Sequence, residues 1–354
     1  MNISISIDEL KRLLTAMPTD QNIMLTGRHG IGKSEILTNF YAERGMKVVT
    51  LFLGQMSDPG DLIGLPNKNE QTGKTDFMPP YWFPMDGEPI VLFLDELNRA
   101  RPEVLQTVMD LVLNRKLAGR QLPKGSVIIS AVNEGDEYQL TDLDPALVSR
   151  FNIYQFRPTT AEWLLWAQEN GLDERVIYFI SNNADWLDEN IKQADEYVGL
   201  EKSPDRRAWK KVSDLIKGID SLDDYKKFVA GIIGVAATAA FYASVAEKNI
   251  IYGKSVLVDF AKVRGKLKSL QLHHLAVINE GIFRCLQLHD YEDSSTSADN
   301  LTAYTAWLLN NEKKEAFANF TNLITDPKYP KAVVFISTKT PELYKKVIEF
   351  IRNL

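Results

Sequence analysis

The chain has 354 residues, which is long enough for two domains with separate cores. Apolar residues make up 45% and charged residues 25%, and the net charge of −6 gives no overall attraction to nucleic acid or to an anionic membrane. The single cysteine, Cys285, excludes an internal disulfide and fits a reducing compartment. The first residues, MNISISIDELKRLL, lack the pattern of a signal peptide. We therefore expect a cytoplasmic protein with no membrane partner.

The first part of the chain alternates between helix and strand patterns. Leucines spaced along one face predict an amphipathic helix from Ile7 to Met17. Further helices are predicted at 33–44, 102–114 and 145–148, and strands at 22–27, 47–53, 89–96, 126–133 and 152–158. Strands that alternate with helices form parallel sheets covered on both faces. We therefore predict an α/β domain over residues 1–157.

The second part, residues 158–354, has a mostly helical pattern. The uncharged stretch from Phe228 to Ala246 favours a buried helix over a membrane span, because it is rich in Ala and Gly and contains polar residues. The polar residues 290–300, DYEDSSTSADN, predict a linker. The residues AVVFIS at 332–337 are compatible with a strand.

A phosphate-loop motif follows the first long predicted strand. The residues GRHGIGKS match G-x-x-x-x-G-K-[ST] and lie between a strand and a helix, which is the context that this motif requires. Its glycines allow backbone N–H groups to surround phosphates, Lys33 would contact the β- and γ-phosphates, and Ser34 would bind Mg²⁺. The predicted nucleotide-binding residues are Gly27, Arg28, His29, Gly30, Ile31, Gly32, Lys33, Ser34 and Glu35.

Two carboxylates, Asp95 and Glu96, follow the apolar run VLFL at the end of a predicted strand. Ligands of open parallel sheets bind beyond the C-terminal ends of the strands, so both side chains are expected beside the phosphates. Asp95 would hold Mg²⁺ together with Ser34, and Glu96 would activate the attacking water as general base. The alternative is an acidic pair that only complements a helix dipole.

Two further residues are candidates for the hydrolytic step. Asn133 ends a predicted strand, where its amide would bind the γ-phosphate or the water, although an Asn in a turn is the alternative. Arg150 follows a short predicted helix. An arginine stabilises charge on a transferring phosphoryl group, and Arg150 would do so from a neighbouring subunit unless it is only a surface residue.

A basic segment in the second part, SPDRRAWKKV at 203–212, supplies another candidate. Either Arg206 or Arg207 could contact the γ-phosphate and couple the two domains, and the alternative is a basic helix face. The residues themselves leave the choice between the two open.

Together these motifs resemble those of the AAA+ ATPases, and within them of the MoxR-like branch. GRHGIGKS is similar to Walker A, and FLDELNRA is similar to the Walker B motif of that branch, including its Asn98 and Arg99. Asn133 corresponds to sensor 1 and Arg150 to the arginine finger. Of the two adjacent arginines, Arg207 is preferred over Arg206 for sensor 2 because of its spacing to Trp209. The resemblance covers about residues 20–215.

The resemblance implies a P-loop αβα parallel-sheet AAA+ domain followed by an all-α lid domain. It also implies ATP and Mg²⁺ as cofactors and a homo-oligomeric ring of six copies. The implied function is ATP hydrolysis coupled to chaperone-like remodelling or maturation of a partner protein, with a von Willebrand factor A domain protein as candidate partner. The alternatives are a nucleotide-gated scaffold with little turnover and a nucleic-acid remodeller, which the acidic net charge disfavours.

Residues 57–84 resemble an insertion of the same family. Its four aromatic residues would contact a substrate or a neighbouring subunit, or else pack on the domain's own core: Phe77, Tyr81, Trp82 and Phe83. Arg99 and Arg101 would face a neighbouring subunit, or else solvate the helix start and pair locally with Glu103. The residues NKNE at 67–70 resemble a guanine-reading motif, but their position before Asp95 favours a turn, and therefore adenine as the base.

Overall fold

The computed structural model describes residues 3–133, 143–188, 202–246 and 250–352. The chain divides into two compact units, Met1–Thr159 and Thr160–Leu354. The first unit contains a six-stranded sheet with helices, and the described part of the second unit contains helices throughout. This confirms the predicted fold class, a parallel αβα sheet followed by an all-α region.

The first unit contains ten described strands. They are β1 Ser4–Ile5, β2 Asn22–Gly27, β3 Lys47–Phe52, β4 Pro66–Lys68, β5 Thr75–Phe77, β6 Ile90–Asp95, β7 Lys116–Leu117, β8 Arg120–Gln121, β9 Val127–Asn133 and β10 Phe151–Phe156. Six of them form a parallel sheet of order β1-β10-β2-β9-β6-β3. Two short antiparallel hairpins, β4–β5 and β7–β8, lie outside this sheet.

Five described helices accompany the sheet. The first begins at a capping box, in which the Ser6 hydroxyl accepts from the Glu9 N–H and the Glu9 carboxylate accepts from the Ser6 N–H. The helices are α1 Ile7–Ala16, α2 Lys33–Ala42, α3 Gly60–Ile63, α4 Pro102–Asn114 and α5 Pro145–Val148.

Strand β6, which lies between β9 and β3, shows why the sheet needs helices on both faces. Its residues from Ile90 to Leu94 are all buried. Val91 and Phe93 belong to the core that contains residues of α1 and α2, whereas Leu92 and Leu94 belong to the core that contains residues of α4. Successive side chains of a strand point to opposite faces, so the continuous apolar run supplies both cores.

The described part of the second unit consists of helices and short 3₁₀ turns. One of its two cores is centred on Trp209, which packs against Phe179 and Phe241 and donates from its indole N–H to the Trp186 carbonyl. The helices are α6 Thr160–Glu169, α7 Glu174–Asn182, α8 Arg206–Ile216, α9 Lys226–Ile233, α10 Val235–Val245, α11 Gly253–Val258, α12 Phe260–Leu267, α13 Leu272–Leu288, α14 Ser294–Asn310, α15 Lys314–Ile324, α16 Pro330–Lys339 and α17 Pro341–Arg352.

Two local predictions in the second unit are wrong. Most of the predicted polar linker belongs to helix α14, whose first turn is capped because the Asp293 carboxylate accepts from the Thr296 N–H at 2.6 Å. The predicted strand at 332–337 lies within helix α16, where Ala332, Phe335 and Ile336 form a buried stripe. Packing of that stripe overrides the strand preference of the Val and Phe residues.

The uncharged stretch at 228–246 forms two helices rather than the single buried helix predicted. The break is at Gly234, whose φ of +82° is a conformation that favours glycine. A Cβ atom there would also overlap the Lys202 carbonyl. Among the described helices, none is both long and apolar enough to cross a membrane.

Candidate nucleotide-binding site

The sheet register places the predicted site residues at two opposite edges of the first unit. In the parallel pairing of β2 with β9, Gly27 lies opposite Asn133, so both are at the C-terminal edge. Asp95 ends β6 at the same edge. In the pairing of β2 with β10, Asn22 lies opposite Phe151, which places the residue before Phe151, Arg150, at the N-terminal edge.

The phosphate loop connects β2 directly to α2. Gly30 and Gly32 have φ angles of +74° and +93°, which L side chains rarely adopt. A Cβ on Gly27 would lie 2.9 Å from the Phe156 carbonyl oxygen, so glycine is also required where the loop passes β10. Lys33 and Ser34 are the first two residues of α2, where backbone N–H groups and the helix dipole favour an anion.

The Lys33 ammonium lies at the centre of this edge. It donates to the Gly27 carbonyl at 2.7 Å, to the Arg28 carbonyl at 2.9 Å and to the Asn133 side-chain oxygen at 3.0 Å. Only 6% of Lys33 is exposed. A charge this buried is stabilised by its three acceptors, and the same position suits contact with phosphate. The structure therefore brings Lys33 and Asn133 together.

Ser34 and Asp95 form a second pair at this edge. The Ser34 hydroxyl donates to Asp95 Oδ2 at 3.0 Å, while Asp95 Oδ1 accepts from the Glu96 N–H at 2.9 Å. A hydroxyl and a single carboxylate are oxygen ligands that Mg²⁺ takes alongside phosphate and water. The two residues predicted to bind the metal therefore fit a magnesium ion.

Glu96 lies between β6 and a 3₁₀ turn, Leu97–Arg99, and has a left-handed conformation with φ of +56°. Its carboxylate accepts from Arg99 at 2.8 Å, and both side chains are about one quarter exposed. The carboxylate is thus held at the C-terminal edge of the sheet and is accessible to water, as a general base must be.

The remaining loop residues predicted to contact nucleotide differ in exposure. His29 and Glu35 are exposed, whereas Arg28, Ile31 and Gly32 are half-buried. In phosphate loops the backbone N–H groups supply most of the contacts, so exposed side chains at His29 and Glu35 are compatible with the predicted role.

Arg150 is exposed at the opposite, N-terminal edge of the sheet. Its carbonyl accepts from the Asn22 amide at 3.1 Å, and the same amide donates to the Val112 carbonyl at the end of α4. The Arg115 guanidinium donates to the Asn22 side-chain oxygen at 2.9 Å. These residues line an open cavity of about 520 Å³. The structure therefore does not bring Arg150 into the site of its own chain.

The second unit separates the roles of its two adjacent arginines. Arg206 is buried and donates from Nε and a terminal nitrogen to the Asp188 carboxylate at 2.9–3.2 Å. Arg207, at the start of α8, is exposed. The bidentate ion pair with Asp188 holds Arg206 within the second unit. Arg207 is the more accessible of the two arginines and stays the predicted sensor residue.

The insertion at 57–84 divides its aromatic residues between core and surface. Trp82 and Phe83 belong to the core of the first unit, Phe77 is half-buried, and Tyr81 is 91% exposed. Packing on the domain's own core therefore accounts for two of the four aromatics, and Tyr81 is available to another molecule.

Two contacts at the site escaped the sequence analysis. Asn98 is buried and donates to the Asn133 carbonyl at 3.0 Å, and Arg99 pairs with Glu96. Gly54 lies directly beside the Glu96–Arg99 pair, since a Cβ on it would be 2.9 Å from Glu96 Oε2. An Asn and an Arg within four residues of the two acids were the visible signal, but their partners depend on the folded sheet.

Comparison with known proteins finds a family match within the first unit. Residues 22–151 match the family model of the AAA domain, dynein-related subfamily. This segment carries the phosphate loop, the two acids, Asn133 and Arg150, so the region that is similar to the AAA domain contains all the candidate site residues of the first unit.

The match to a named relative is longer than the family match over residues 22–151. The protein named "Putative chaperone BssE" of Thauera aromatica is 26% identical over 208 residues, which span 56% of this chain. They span 65% of the relative, slightly less than two thirds of its length.

Solved structures with similar chains include two bacterial proteins. A Thermotoga maritima RuvB mutant aligns with 14% identity and a TM-score of 0.38 over 73% of this chain and 79% of its own. Brucella abortus NtrX in complex with ADP aligns with 14% identity and a TM-score of 0.36 over 86% of this chain and 68% of its own.

Proposed function

We propose that the chain is a Mg²⁺-dependent, MoxR-like AAA+ ATPase that works as a ring and remodels or matures a partner protein. The AAA match over residues 22–151 and the contacts of Lys33, Ser34, Asp95 and Asn133 support nucleotide binding. Glu96 is the general base that takes a proton from the attacking water. Asn133 holds the water or the γ-phosphate, and Lys33 neutralises phosphate charge.

The bound Mg²⁺ would be held by Ser34 and Asp95 and would neutralise charge between the β- and γ-phosphates. ATP would occupy the loop from Gly27 to Ser34, with its phosphates at the N-terminus of α2.

The position of Arg150 is the observation that supports assembly into a ring. Gly27 and Asn22 are the two ends of β2, so the loop and the region of Arg150 are separated by a six-residue strand, which is roughly 17 Å long. Arg150 is therefore too far away to stabilise the phosphoryl group bound by its own chain. In a ring, Arg150 of one copy would enter the nucleotide site of the next, and turnover would then depend on assembly.

The partner proposal rests on the named relative and on the resemblance of the motifs. The relative carries the name "Putative chaperone BssE", and the MoxR-like motifs suggest a von Willebrand factor A domain protein as the partner. We propose a ring of six, in the cytoplasm, with movements of the helical region coupled to ATP hydrolysis and Arg207 as its nucleotide sensor.

Mixing two inactive variants tests the shared site. Lys33→Ala should bind ATP weakly and lack the phosphate-neutralising cation but retain Arg150, while Arg150→Ala should bind ATP but lack the arginine. Each variant alone should be inactive, and a mixture should regain turnover because some interfaces combine an intact nucleotide site with an intact Arg150. A mixture that co-assembles yet remains inactive would exclude Arg150 as a residue supplied between copies.

The partner is tested by purifying the Glu96→Gln protein from cells in the presence of ATP and identifying the bound proteins by mass. Proteins retained by Glu96→Gln and lost with Lys33→Ala would be nucleotide-gated partners. Equal recovery with both variants would contradict coupling between ATP and partner binding.

A further inference from the structure

The 3₁₀ turn Leu97–Arg99 is firmly anchored at the C-terminal edge of the sheet, directly after β6 and Glu96. Leu97 and Ala100 are both fully buried in the core of the first unit. The Arg99 N–H donates to the Glu96 carbonyl at 2.9 Å, so the turn begins directly at the proposed general base. A turn anchored in this way can hold a neighbouring side chain in one position.

Asn98 connects this turn to the end of β9. It is 4% exposed and donates from its side-chain amide to the Asn133 carbonyl at 3.0 Å. The Asn133 side chain in turn accepts from Lys33. Asn98 therefore holds the backbone of the residue that is proposed to orient the water.

The amide oxygen of Asn98 has no hydrogen-bond partner among the described residues. A buried, unsatisfied amide oxygen destabilises the fold, and an apolar side chain of similar size would avoid this cost. The cost is understandable if the amide N–H contact with Asn133 is needed for function.

Arg99 connects the same turn to Glu96. The ion pair of 2.8 Å fixes a carboxylate whose backbone has the unfavourable left-handed conformation. The pair lies against Gly54, where a Cβ would be 2.9 Å from Glu96 Oε2 and 3.1 Å from the Arg99 Cβ. Gly54 thus provides the space that the pair occupies.

We propose that Asn98 and Arg99 are positioning residues for hydrolysis: Asn98 holds Asn133 and Arg99 holds Glu96, so that one short turn sets the distance between the general base and the residue that orients the water. This inference rests on the proposed ATPase function. It assigns Arg99 a role inside its own nucleotide site rather than the contact with a neighbouring subunit that the sequence suggested.

The substitution Asn98→Leu tests the first half. It removes the unsatisfied oxygen but also leaves the Asn133 carbonyl without this donor, so the two effects on thermal stability oppose each other and ATP affinity should stay the same. The value of kcat should fall by about 10-fold to 100-fold, as expected when a reacting group is misplaced. A variant with unchanged kcat would overturn the role of Asn98, and parallel losses of kcat, affinity and stability would show a merely structural residue.

The substitutions Arg99→Ala and Arg99→Lys test the second half. Arg99→Ala should lower kcat by about 10-fold to 100-fold with unchanged ATP affinity and unchanged ring size in sedimentation. Arg99→Lys keeps a cation beside Glu96 and should recover most of that loss. Loss of the ring with Arg99→Ala, or failure of lysine to rescue, would overturn the role of Arg99.

Gly54→Ala changes neither residue but crowds the pair. We expect it to lower kcat without changing ATP affinity. Gly265→Ala is the matched control: it lies on helix α12 with open space around it and should change neither kcat nor ATP affinity. Normal kcat in Gly54→Ala would show that Glu96 and Arg99 do not need this arrangement.

Double variants that carry Glu96→Gln separate the positioning inference from the proposed ATPase function. If Glu96 is the base and Arg99 acts through it, Arg99→Ala should add no further loss to Glu96→Gln. An active Glu96→Gln protein would refute the proposed base. An inactive Glu96→Gln protein combined with normal kcat in Asn98→Leu and Arg99→Ala would leave the base assigned and refute only the positioning turn.

Discussion

Lys33 and Asn133, 100 positions apart in the chain, are joined by a hydrogen bond of 3.0 Å between the ammonium and the side-chain amide oxygen. The bond exists because β2 and β9 are parallel neighbours whose last residues lie side by side. It brings the cation proposed to bind phosphate next to the residue proposed to orient the water.

Replacing Lys33 should weaken nucleotide binding. Lys33→Ala removes a buried charge that is proposed to contact phosphate, and we expect the ATP dissociation constant to rise by at least about 10-fold, in line with the loss of one charge-assisted hydrogen bond of about 1.5–3 kcal/mol. Titration with a fluorescent ATP analogue measures this change. Arg12→Ala, at an exposed position on α1, is the matched control and should bind normally. Normal affinity in Lys33→Ala would place the nucleotide elsewhere.

Replacing Arg150 should impair turnover but not binding. Because Arg150 lies at the edge opposite the phosphate loop, Arg150→Ala should leave the ATP dissociation constant unchanged and lower kcat by roughly 10³-fold or more. Arg150→Lys should not rescue it, since lysine lacks the planar guanidinium group. Phosphate release at several protein concentrations is the measurement. Weaker ATP binding at concentrations where the variant is monomeric would contradict this position.

Cys285 offers a probe of the second unit. Burial raises the pKa of its thiol to about 11, so at neutral pH the group is both protonated and inaccessible. A thiol reagent should not label the folded protein, and labelling should rise with the loss of helical structure in urea. The sequence contains one cysteine, so the signal has a single source. Rapid labelling without denaturant would contradict the burial of α13.

Substitution of the capping residue Asp293 tests helix α14, which occupies most of the predicted linker. Hydrogen bonds from the Thr296 N–H and hydroxyl lower the pKa of its carboxyl group, so its contribution is complete above the ordinary value of 3.8 and decreases as the pH falls below it. Asp293→Ala should lower the urea midpoint at pH 7, and Asp293→Asn, which retains an acceptor, should lower it less. Equal midpoints for all three proteins would argue against this cap.

The sequence predicted those parts of the fold that depend on local pattern. The apolar run at 90–94 and the glycines of the phosphate loop carry their own signals, since burial on two faces and positive φ angles restrict residue type. The pairing of Glu96 with Arg99 could not be predicted, because either side chain could equally have faced a neighbouring copy. Helix α16 was missed because its stability comes from tertiary packing of residues whose local preference is for strands.

Phosphate release by the Glu96→Gln protein, compared with the unmodified protein at equal ATP occupancy, tests the central claim most directly. Glutamine keeps the shape of Glu96 but cannot accept the proton from water. We expect ATP to bind with unchanged affinity and phosphate release to fall by at least about 100-fold. Phosphate release at the rate of the unmodified protein would contradict the assignment of Glu96 as the general base and, with it, the proposed hydrolytic site.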